Sequence, residues 1–196
     1  MSAHDFPHDS TQAAPRRRFA RLAATAATAA ALMIAAGTAF TAAMPAAEAA
    51  TTGYGPAPRL STYDARLLHD INHARAAHGR APLRATAGTT DVAHRWSCHM
   101  GHYSTLGHRP NLVTAISRSG SAAWRVMGEN VGVSTGSDAD VLFRAYMNSP
   151  KHRANILDSS YRFLGIHTEL RHGQRWNTLD FVDRYSGTYG ATRATC

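Results

Sequence analysis

The sequence contains a single lysine, Lys151, and no run of basic residues after position 50. Residues 50–196 carry 17 of the 21 lysine and arginine residues and 10 of the 13 acidic residues, a net charge of +7. A nucleic-acid site needs its cations in a stripe, commonly with stacking aromatic side chains. Here the arginines are scattered from Arg59 to Arg193, and aromatic residues make up only 8% of the chain. The composition therefore predicts a solvated basic surface and no nucleic-acid partner, with attraction to anionic envelope polymers as the alternative.

Long apolar runs are also scarce, and the clearest extends from Leu22 to Phe40 without a charge. This alanine-rich run follows the basic segment Pro15–Arg21 and is followed by Ala47-Glu48-Ala49. A basic segment, an apolar segment and a small-x-small cleavage sequence are typical of an export signal. We therefore predict that residues 1–49 are removed after Ala49, that residues 50–59 form a short leader and that residues 60–196 form one secreted domain.

The export route has more than one interpretation. Arg16 and Arg17, followed one residue later by Phe19, resemble the twin-arginine signal, although Pro15 stands where that signal usually has serine or threonine. Ordinary secretion is the alternative. A retained amino-terminal anchor is a third interpretation, because the apolar run is nearly long enough to span a bilayer. In the predicted secreted form no stable membrane span remains.

Cysteine is nearly absent as well. The two cysteines, Cys98 and Cys196, both belong to the part of the chain that we expect outside the cell, where thiols are oxidised. We predict that they form one disulfide. On the chain-entropy account, closing a loop of nearly a hundred residues stabilises the fold by up to about 4 to 5 kcal/mol and holds a terminus that would otherwise fray.

The spacing of apolar residues predicts helices and strands in the predicted domain. A helix begins at Ser61, where Leu67, Ile71 and Ala74 share one face, and ends at Gly79. The other predicted elements are a helix over 91–103, a short helix over 112–117, an extended segment over 124–134, a helix over 139–147, and a hairpin of 161–170 and 175–182 around Gly173. This order indicates an α+β domain rather than a parallel α/β domain.

Two pairs of histidines have a spacing typical of metal ligands on a helix. His69 and His73 are four residues apart, with Asp70 between them, but they lie opposite the apolar face of their helix. His99 and His102 are three residues apart, and no third ligand follows at a typical spacing. We predict that both pairs are solvated.

The remaining candidates are dispersed along the chain: His108 in a loop, Glu129 in the extended segment, and His152 just after Ser149-Pro150, where proline ends one helix and can begin the next.

Six segments of the chain occur in the order seen in bacterial CAP-domain proteins. They are LLHDINHARAAHGRAPL (67–83), LGHRPNL (106–112), WRVMGENVG (124–132), SPKHRANIL (149–157), YRFLGIHTE (161–169) and WNTLDF (176–181). Over residues 60–185 the sequence resembles this superfamily, also called SCP/TAPS after the cysteine-rich secretory, antigen 5 and pathogenesis-related-1 proteins.

The resemblance implies a three-layer α-β-α sandwich with a central antiparallel sheet, and a cleft in which two histidines and acidic residues converge. Carried over by position, these are His108, His152 and Glu129. In many eukaryotic members a second glutamate lies on the helix before the last histidine, and the equivalent position here is near Ser149. The incomplete set of acidic residues predicts at most low-affinity metal binding.

Two interpretations of the cleft follow. In the first, His108, His152 and Glu129 form a partial shell for zinc or a similar divalent ion. In the second, Glu129 orients both imidazole rings in a hydrogen-bonded network, while Asn130 and Asn155 satisfy nearby backbone groups.

Three functions are compatible with these interpretations. We favour a secreted module that binds a lipid, a sterol or another small amphiphile through the cleft lined by histidine and glutamate or in an adjacent groove. The alternatives are a metal-assisted hydrolase acting on envelope peptide or glycan, and an interaction domain with a vestigial cleft. No serine or cysteine nucleophile pairs convincingly with a base, so catalysis stays open, as does the oligomeric state.

Overall fold

The computed structural model describes residues 57–121, 123–187 and 196. The predicted export segment 1–49 and most of the leader 50–59 lie outside these residues, so both stay predictions. Within the described part of the chain, no helix is long and apolar enough to cross a membrane.

Five helices and four strands occur in the described ranges. In chain order they are α1 (Thr62–Ala77), β1 (Arg84–Ala85), α2 (Ala87–Tyr103), α3 (Leu112–Ser117), β2 (Met127–Thr135), α4 (Ala139–Asn148), α5 (Pro150–Leu157), β3 (Phe163–Arg171) and β4 (Gln174–Val182). The predicted helices, extended segment and hairpin are confirmed, with shifted ends. Helix α2 begins four residues earlier than predicted. Its first turn contains Gly88, where a β-carbon would collide with the carbonyl oxygen of Ser119. The backbone of this turn therefore packs directly against Ser119, and no periodic apolar side chains mark the start of the helix in the sequence.

The strands form one sheet in the order β1-β3-β4-β2. Strand β4 pairs antiparallel with both β3 and β2, while the two-residue β1 pairs in parallel with β3. The α+β class is therefore confirmed, but the sheet is mixed rather than wholly antiparallel, because β1 is too short to leave a periodic signal. His172 and Gly173 both have positive φ and connect β3 to β4, a conformation that matches the twist of a tight hairpin.

Side chains alternate along each strand, so the two faces of the sheet have different partners. On one face α1, α4 and α5 enclose a core that includes Leu67, Ile71, Leu142, Ile156, Leu164, Ile166 and Leu179. On the other face α2 packs on the sheet, where Met100 contacts Val131 and Trp176. The sheet is thus the middle of three layers, as the resemblance implied. Glu129 and Asn130, neighbours on β2, consequently face different layers.

A buried arginine fixes helix α5 against helix α1. The side chain of Arg75 is fully buried, and its guanidinium donates hydrogen bonds to the carbonyl oxygens of Ala81, Ile156, Asp158 and Tyr161. Burial lowers the pKa of Arg75 from its usual value. Because a buried cation without these acceptors would be strongly destabilising, the contacts hold the end of α5, and with it the segment that carries His152, in one place.

Candidate functional site

Glu129 lies at the centre of the candidate site. Its carboxylate oxygen Oε1 accepts a hydrogen bond from His108 Nδ1 at 2.7 Å and another from the backbone N–H of Arg109 at 3.1 Å. The Glu129 side chain is 3% exposed, whereas that of His108 is 65% exposed. The carboxylate therefore orients an imidazole whose other ring nitrogen is directed away from this contact.

His152 approaches from helix α5. Its ring is half-buried and packs edge-on against Tyr146, with 5.2 Å between ring centroids. Burial lowers the pKa of His152, and the neighbouring His108 lowers it further. The structure thus places both histidines in one electrostatic environment although 44 positions separate them in the sequence.

Two asparagines join helix α5 to strand β2. Asn130 Nδ2 donates to the backbone carbonyl of His152 at 3.0 Å, and Asn155 Nδ2 donates to the carbonyl of Glu129 at 3.2 Å and to Asn130 Oδ1 at 2.8 Å. These are the backbone contacts that the network interpretation assigned to Asn130 and Asn155. Glu129 differs from that interpretation, because among the described residues its carboxylate contacts the ring of His108 and makes no hydrogen bond to the ring of His152.

The break between two helices orients His152. Helix α4 ends at Asn148, Ser149 has extended backbone angles, and Pro150 is the first residue of α5. The Ser149 carbonyl accepts the N–H of Arg153, while its hydroxyl makes no capping hydrogen bond. The neighbours of His152, Lys151 and Arg153, are exposed. The direction change expected from Ser-Pro therefore occurs, and it leaves the histidine half-buried and both cations in solvent.

Two glycines of β2 allow the helices to approach the strand. A β-carbon added at Gly128 would lie 2.6 Å from the hydroxyl of Tyr161 and 3.2 Å from Asn155 Oδ1. A β-carbon at Gly132 would lie 2.8 Å from the hydroxyl of Tyr146. Since real carbon contacts are longer, both positions need glycine for α4, α5 and the following loop to pack as they do.

Sequence reasoning missed an acidic residue of this site, Asp180. It lies directly opposite Glu129 in the antiparallel pairing of β2 with β4, and its side chain is fully buried. Both oxygens of Asp180, and Oε2 of Glu129, make no hydrogen bond to the described protein atoms. Burial raises the pKa of Asp180 well above its usual value, the nearby Glu129 raises it further, and Arg109 opposes both effects. The signal in the sequence was an aspartate between the apolar residues Leu179 and Phe181 at the end of the strand. We call His108, Glu129, His152 and Asp180 the cleft.

A pocket of about 250 Å³ adjoins the cleft through Arg109. Arg109 Nη1 donates to the carbonyl of Val92, and its Nε donates to Asn111 Oδ1. The pocket is lined by Asp91, Val92, Arg95, Arg109, Asn111, Thr114, Ala115 and Arg118. Because the backbone of Arg109 also binds Glu129, the position of the pocket wall and the position of the cleft carboxylate depend on each other.

Groups of three potential metal ligands within 4.8 Å of one another occur elsewhere in the described ranges. They are His94 with Cys98 and Cys196, and Cys98 with His167 and Glu169. We call these five residues the cysteine cluster. His108, Glu129 and His152 do not form such a group among the described residues. The pairs His69/His73 and His99/His102 lie on exposed helix faces, as predicted.

The predicted disulfide is present between Cys98 and Cys196, whose Cα atoms are 5.4 Å apart. It links helix α2 to Cys196 and thereby lies within the cysteine cluster.

Comparison with known proteins identifies the family. A model of the cysteine-rich secretory protein family, abbreviated CAP, matches residues 68–179, which include the second part of helix α1, the loop that carries His108, and most of the sheet. The chain belongs to the CAP family. A search of the curated proteins finds no match.

Solved structures share the CAP fold. An outer surface protein of Borrelia burgdorferi is 16% identical, with a TM-score of 0.58, and the match covers 66% of this chain and 98% of that one. An extracellular protein with an SCP domain from Bacillus anthracis is 23% identical (TM-score 0.54), and a cysteine-rich secretory protein from Staphylococcus aureus is 20% identical (TM-score 0.53). These matches cover 62% and 66% of this chain, but only 40% of each of those two proteins. At such identities the likeness concerns the fold alone.

Proposed function

We propose that this CAP domain is an extracellular module that binds a small anionic amphiphile in the arginine-lined pocket beside the cleft. The observation that carries the proposal is the composition of the pocket wall: three arginines, Arg95, Arg109 and Arg118, face a single acidic residue, Asp91, next to apolar Val92 and Ala115. A cavity that combines cationic and apolar groups suits a ligand with an anionic head and an apolar body.

The charge at the pocket supports an anionic head group. Arg95 pairs with Asp91 at 2.9 Å, so that acidic charge is already matched. Burial lowers the pKa of Arg109, while Asp180, Glu129 and Asp91 oppose this shift. A carboxylate or phosphate would gain charge-assisted hydrogen bonds from planar guanidinium groups, and partial burial makes these contacts stronger than in water. The volume of about 250 Å³ accommodates the head and the first carbons of a chain.

Titration with a fluorescent fatty acid and with the corresponding fluorescent alcohol tests the proposal. We expect the acid to bind and the alcohol to bind at least about tenfold more weakly, since one lost charge-assisted contact is worth about 1.4 kcal/mol or more. The double variant Arg95→Gln/Arg118→Gln should weaken acid binding about tenfold or more. Arg144→Gln is the matched control. Arg144 pairs with Asp140 one turn earlier on helix α4, as Arg95 pairs with Asp91 on helix α2, but it does not line the pocket.

Three outcomes would contradict the proposal. If acid and alcohol bound equally, an anionic head would have no role. If the double variant bound the acid as well as the wild type does, the arginine pocket would not be the site. Absence of binding by either ligand would favour the interaction domain with a vestigial cleft.

Export to the outside of the cell is part of the proposal. It is supported by the composition of residues 1–49 and by the outer-surface and extracellular descriptions of two structural neighbours. Amino-terminal sequencing of the secreted protein should find a start near Ala50, whereas recovery of the intact 16–40 segment in a membrane fraction would contradict it.

The unsatisfied carboxylate oxygens favour a second candidate function, a metal-assisted hydrolase of envelope peptide or glycan. Oε2 of Glu129 and both oxygens of Asp180 are buried without hydrogen bonds to described protein atoms, and hard or borderline divalent cations bind such oxygens together with imidazole. His108, His152, Glu129 and Asp180 would hold the ion only after moving closer together, since the ligand atoms of His108, Glu129 and His152 do not all lie within 4.8 Å of one another. Zinc would supply an acidified water molecule, and a carboxylate not bound to the ion would accept its proton.

Calorimetry with zinc separates a metal site from a hydrogen-bonded network. A metal site predicts heat in the wild type that is lost in both His108→Ala and His152→Ala. A network predicts no heat in the wild type and lower melting temperatures in both variants. Because neutral imidazole is the ligand form, zinc affinity at a true site should fall as the pH drops through about 6 to 7.

A further inference from the structure

The cysteine cluster brings together potential ligands from helix α2, strand β3 and the end of the chain. His94 and Cys98 are four residues apart and therefore share one face of α2. His167 and Glu169 are two residues apart and share one face of β3, which packs against α2. Cys196 Sγ lies 3.3 Å from His94 Nε2 and 3.2 Å from Glu169 Oε2. The arrangement is compact and does not include any residue of the cleft.

The two histidines of the cluster contact each other. Their ring centroids are 4.2 Å apart in an edge-to-face arrangement. Nε2 of His167 is buried and makes no hydrogen bond to the described protein atoms, and it lies 3.8 Å from Glu169 Oε2. Burial, followed by the effect of His94, lowers the pKa of His167 to about 4. The imidazole is therefore neutral near pH 7, which is the form that binds metal ions.

A buried nitrogen without a partner calls for an explanation, since such atoms are uncommon in folded proteins. Packing alone does not explain it, because the neighbouring groups are two sulfur atoms, a second imidazole and a carboxylate, all of which are metal ligands. With the disulfide formed, the sulfur atoms are poor ligands. With the disulfide reduced, they would be thiols that can lose their protons to zinc.

We propose that reduction of the Cys98–Cys196 disulfide converts the cysteine cluster into a tetrahedral zinc site formed by Cys98, Cys196, His94 and His167. A dithiol reductant supplies two electrons and two protons: its own sulfur atoms form a disulfide, and the Cys98–Cys196 bond breaks to give two thiols. Zinc then binds both sulfur atoms as thiolates and displaces two protons.

Forming the site requires the two sulfur atoms to separate and His94 and His167, which lie near Cys98 in two different groups of three ligands, to converge on one point. Two thiolates that are each about 2.3 Å from a zinc ion at a tetrahedral angle lie about 3.8 Å apart, so the sulfur atoms need to separate by less than about 2 Å from a disulfide bond length near 2.05 Å. The Cα atoms of Cys98 and Cys196, 5.4 Å apart, already allow this. Glu169, whose Oε2 lies 3.8 Å from His167 Nε2, is the fifth potential ligand of the cluster.

The disulfide is accessible to a reductant. Both cysteines line a surface pocket of about 250 Å³, together with Arg95, His99, His102, Tyr103 and Arg171. Cys196 itself is exposed. A dithiol can therefore reach the disulfide without unfolding the domain.

The proposal is tested by comparing the zinc affinity of the oxidised protein with that of the reduced protein. The affinity is measured by competition with a fluorescent chelator under anaerobic conditions. All proteins carry His108→Ala/His152→Ala, so that zinc binding in the cleft does not contribute and failure of the hydrolase candidate leaves this experiment unaffected. We expect one zinc ion per reduced chain, with a dissociation constant at least about 100-fold lower than that of the oxidised chain. His94→Ala and His167→Ala should each weaken binding to the reduced chain by about tenfold or more. His73→Ala, which removes an exposed histidine from helix α1, is the matched control and should change nothing.

Cobalt(II) binding provides a second measurement, which distinguishes a site in the folded reduced protein from binding by a protein that unfolds on reduction. Tetrahedral cobalt with thiolate ligands has intense visible and near-ultraviolet bands, and these should appear in the reduced chain and be lost in Cys98→Ser/Cys196→Ser. An unfolded chain can bind cobalt through its cysteines, but that binding would not depend on His167. Equal zinc affinity of the oxidised and reduced chains, or unchanged affinity in both histidine variants, would overturn the proposal.

Discussion

The cleft and the cysteine cluster are built from similar residues but differ in which group is buried without a partner. In the cleft the unsatisfied atoms are carboxylate oxygens of Glu129 and Asp180, and His108 is largely exposed. In the cysteine cluster the unsatisfied atom is Nε2 of His167. Burial disfavours the charged form of either kind of group, so it raises the pKa of Asp180 in the cleft and lowers the pKa of His167 in the cysteine cluster.

The difference has consequences for how each region responds to its surroundings. A buried acidic pair is completed by a cation or a hydrogen-bond donor, whereas a neutral imidazole beside two sulfur atoms is completed by a soft or borderline metal ion. The cleft is joined by hydrogen bonds between a loop, a strand and helix α5, while the cysteine cluster is joined by a covalent bond. We therefore expect the two regions to differ in their sensitivity to reduction and to pH.

The largest expected effect is loss of the disulfide. The double variant Cys98→Ser/Cys196→Ser should lower the free energy of unfolding by up to about 4 to 5 kcal/mol, because the unfolded chain is no longer constrained by a loop of 98 residues. Urea denaturation, with folded-state structure followed by circular dichroism, measures the change. The cleft contacts should persist in the folded variant, so the fatty acid should still bind at urea concentrations below the unfolding transition. An unchanged denaturation midpoint would show that the bond contributes no stability.

The next effect is the pH dependence from His167 in the oxidised, metal-free protein. Its folded-state pKa of about 4 lies below the usual value of 6.5. The stability from this group is therefore fully present above pH 6.5 and is lost as the pH falls toward 4, where the unfolded chain binds a proton that the folded chain rejects. Between about pH 8 and pH 4 the wild type should lose about 3 kcal/mol more than His167→Gln does.

The free energies of unfolding of the wild type and of His167→Gln are measured by denaturation at a series of pH values, with a chelator present. His73→Gln serves as the control, because His73 is exposed and its replacement should leave the pH dependence unchanged. Parallel curves for the wild type and His167→Gln would mean that His167 is not desolvated in the folded protein.

The smallest effect has the opposite sign and belongs to the cleft. Because the folded-state pKa of Asp180 is raised, its contribution to stability is fully present below the unfolded pKa near 3.8 and is lost as the pH rises through the folded pKa. Asp180→Asn removes the ionisable group with little change in shape. We expect this variant to be more stable than the wild type by about 1 kcal/mol at neutral pH and to show no such gain at acidic pH.

Thermal unfolding at neutral and acidic pH measures the Asp180 effect. Asp70→Asn is a useful comparison, since Asp70 pairs with Arg66 on the surface of helix α1 and its loss should cost a fraction of a kcal/mol at neutral pH. A destabilised Asp180→Asn at neutral pH would indicate that the charge of Asp180 is matched in the folded protein, for instance by a bound cation.

Local patterns in the sequence predicted much of the fold. The apolar face of α1, the short helix at 112–117, and the hairpin around Gly173 follow from spacing and turn residues that act over a few positions. The two-residue strand β1 and the early start of α2 were not predictable in this way. They depend on pairing with β3 and on the close approach of Gly88 to Ser119, which join distant parts of the chain.

The residues of the candidate site also divide into those that the sequence could indicate and those that depend on the tertiary structure. His108, Glu129 and His152 were named from segments that resemble a family, and Ser149-Pro150 indicated a change of direction because proline restricts the backbone locally. Asp180 was missed because its importance comes from lying opposite Glu129, a register that residues 127–135 and 174–182 establish only when they pair. The role of His167 is also invisible in the sequence, since a histidine in a strand has no distinctive spacing.

By itself, then, the sequence determined most of the helices, the longer strands and the single pair of cysteines, because propensity, periodicity and chain chemistry are local properties. The three dispersed cleft residues were named as candidates through the resemblance to a family. Only the tertiary structure decided which polar atoms of these two regions are buried without hydrogen bonds to described protein atoms. They are Oε2 of Glu129 and both carboxylate oxygens of Asp180 in the cleft, and Nε2 of His167 in the cysteine cluster. Burial and charge proximity depend on which distant segments pack together, and the pKa of each group is set by that packing.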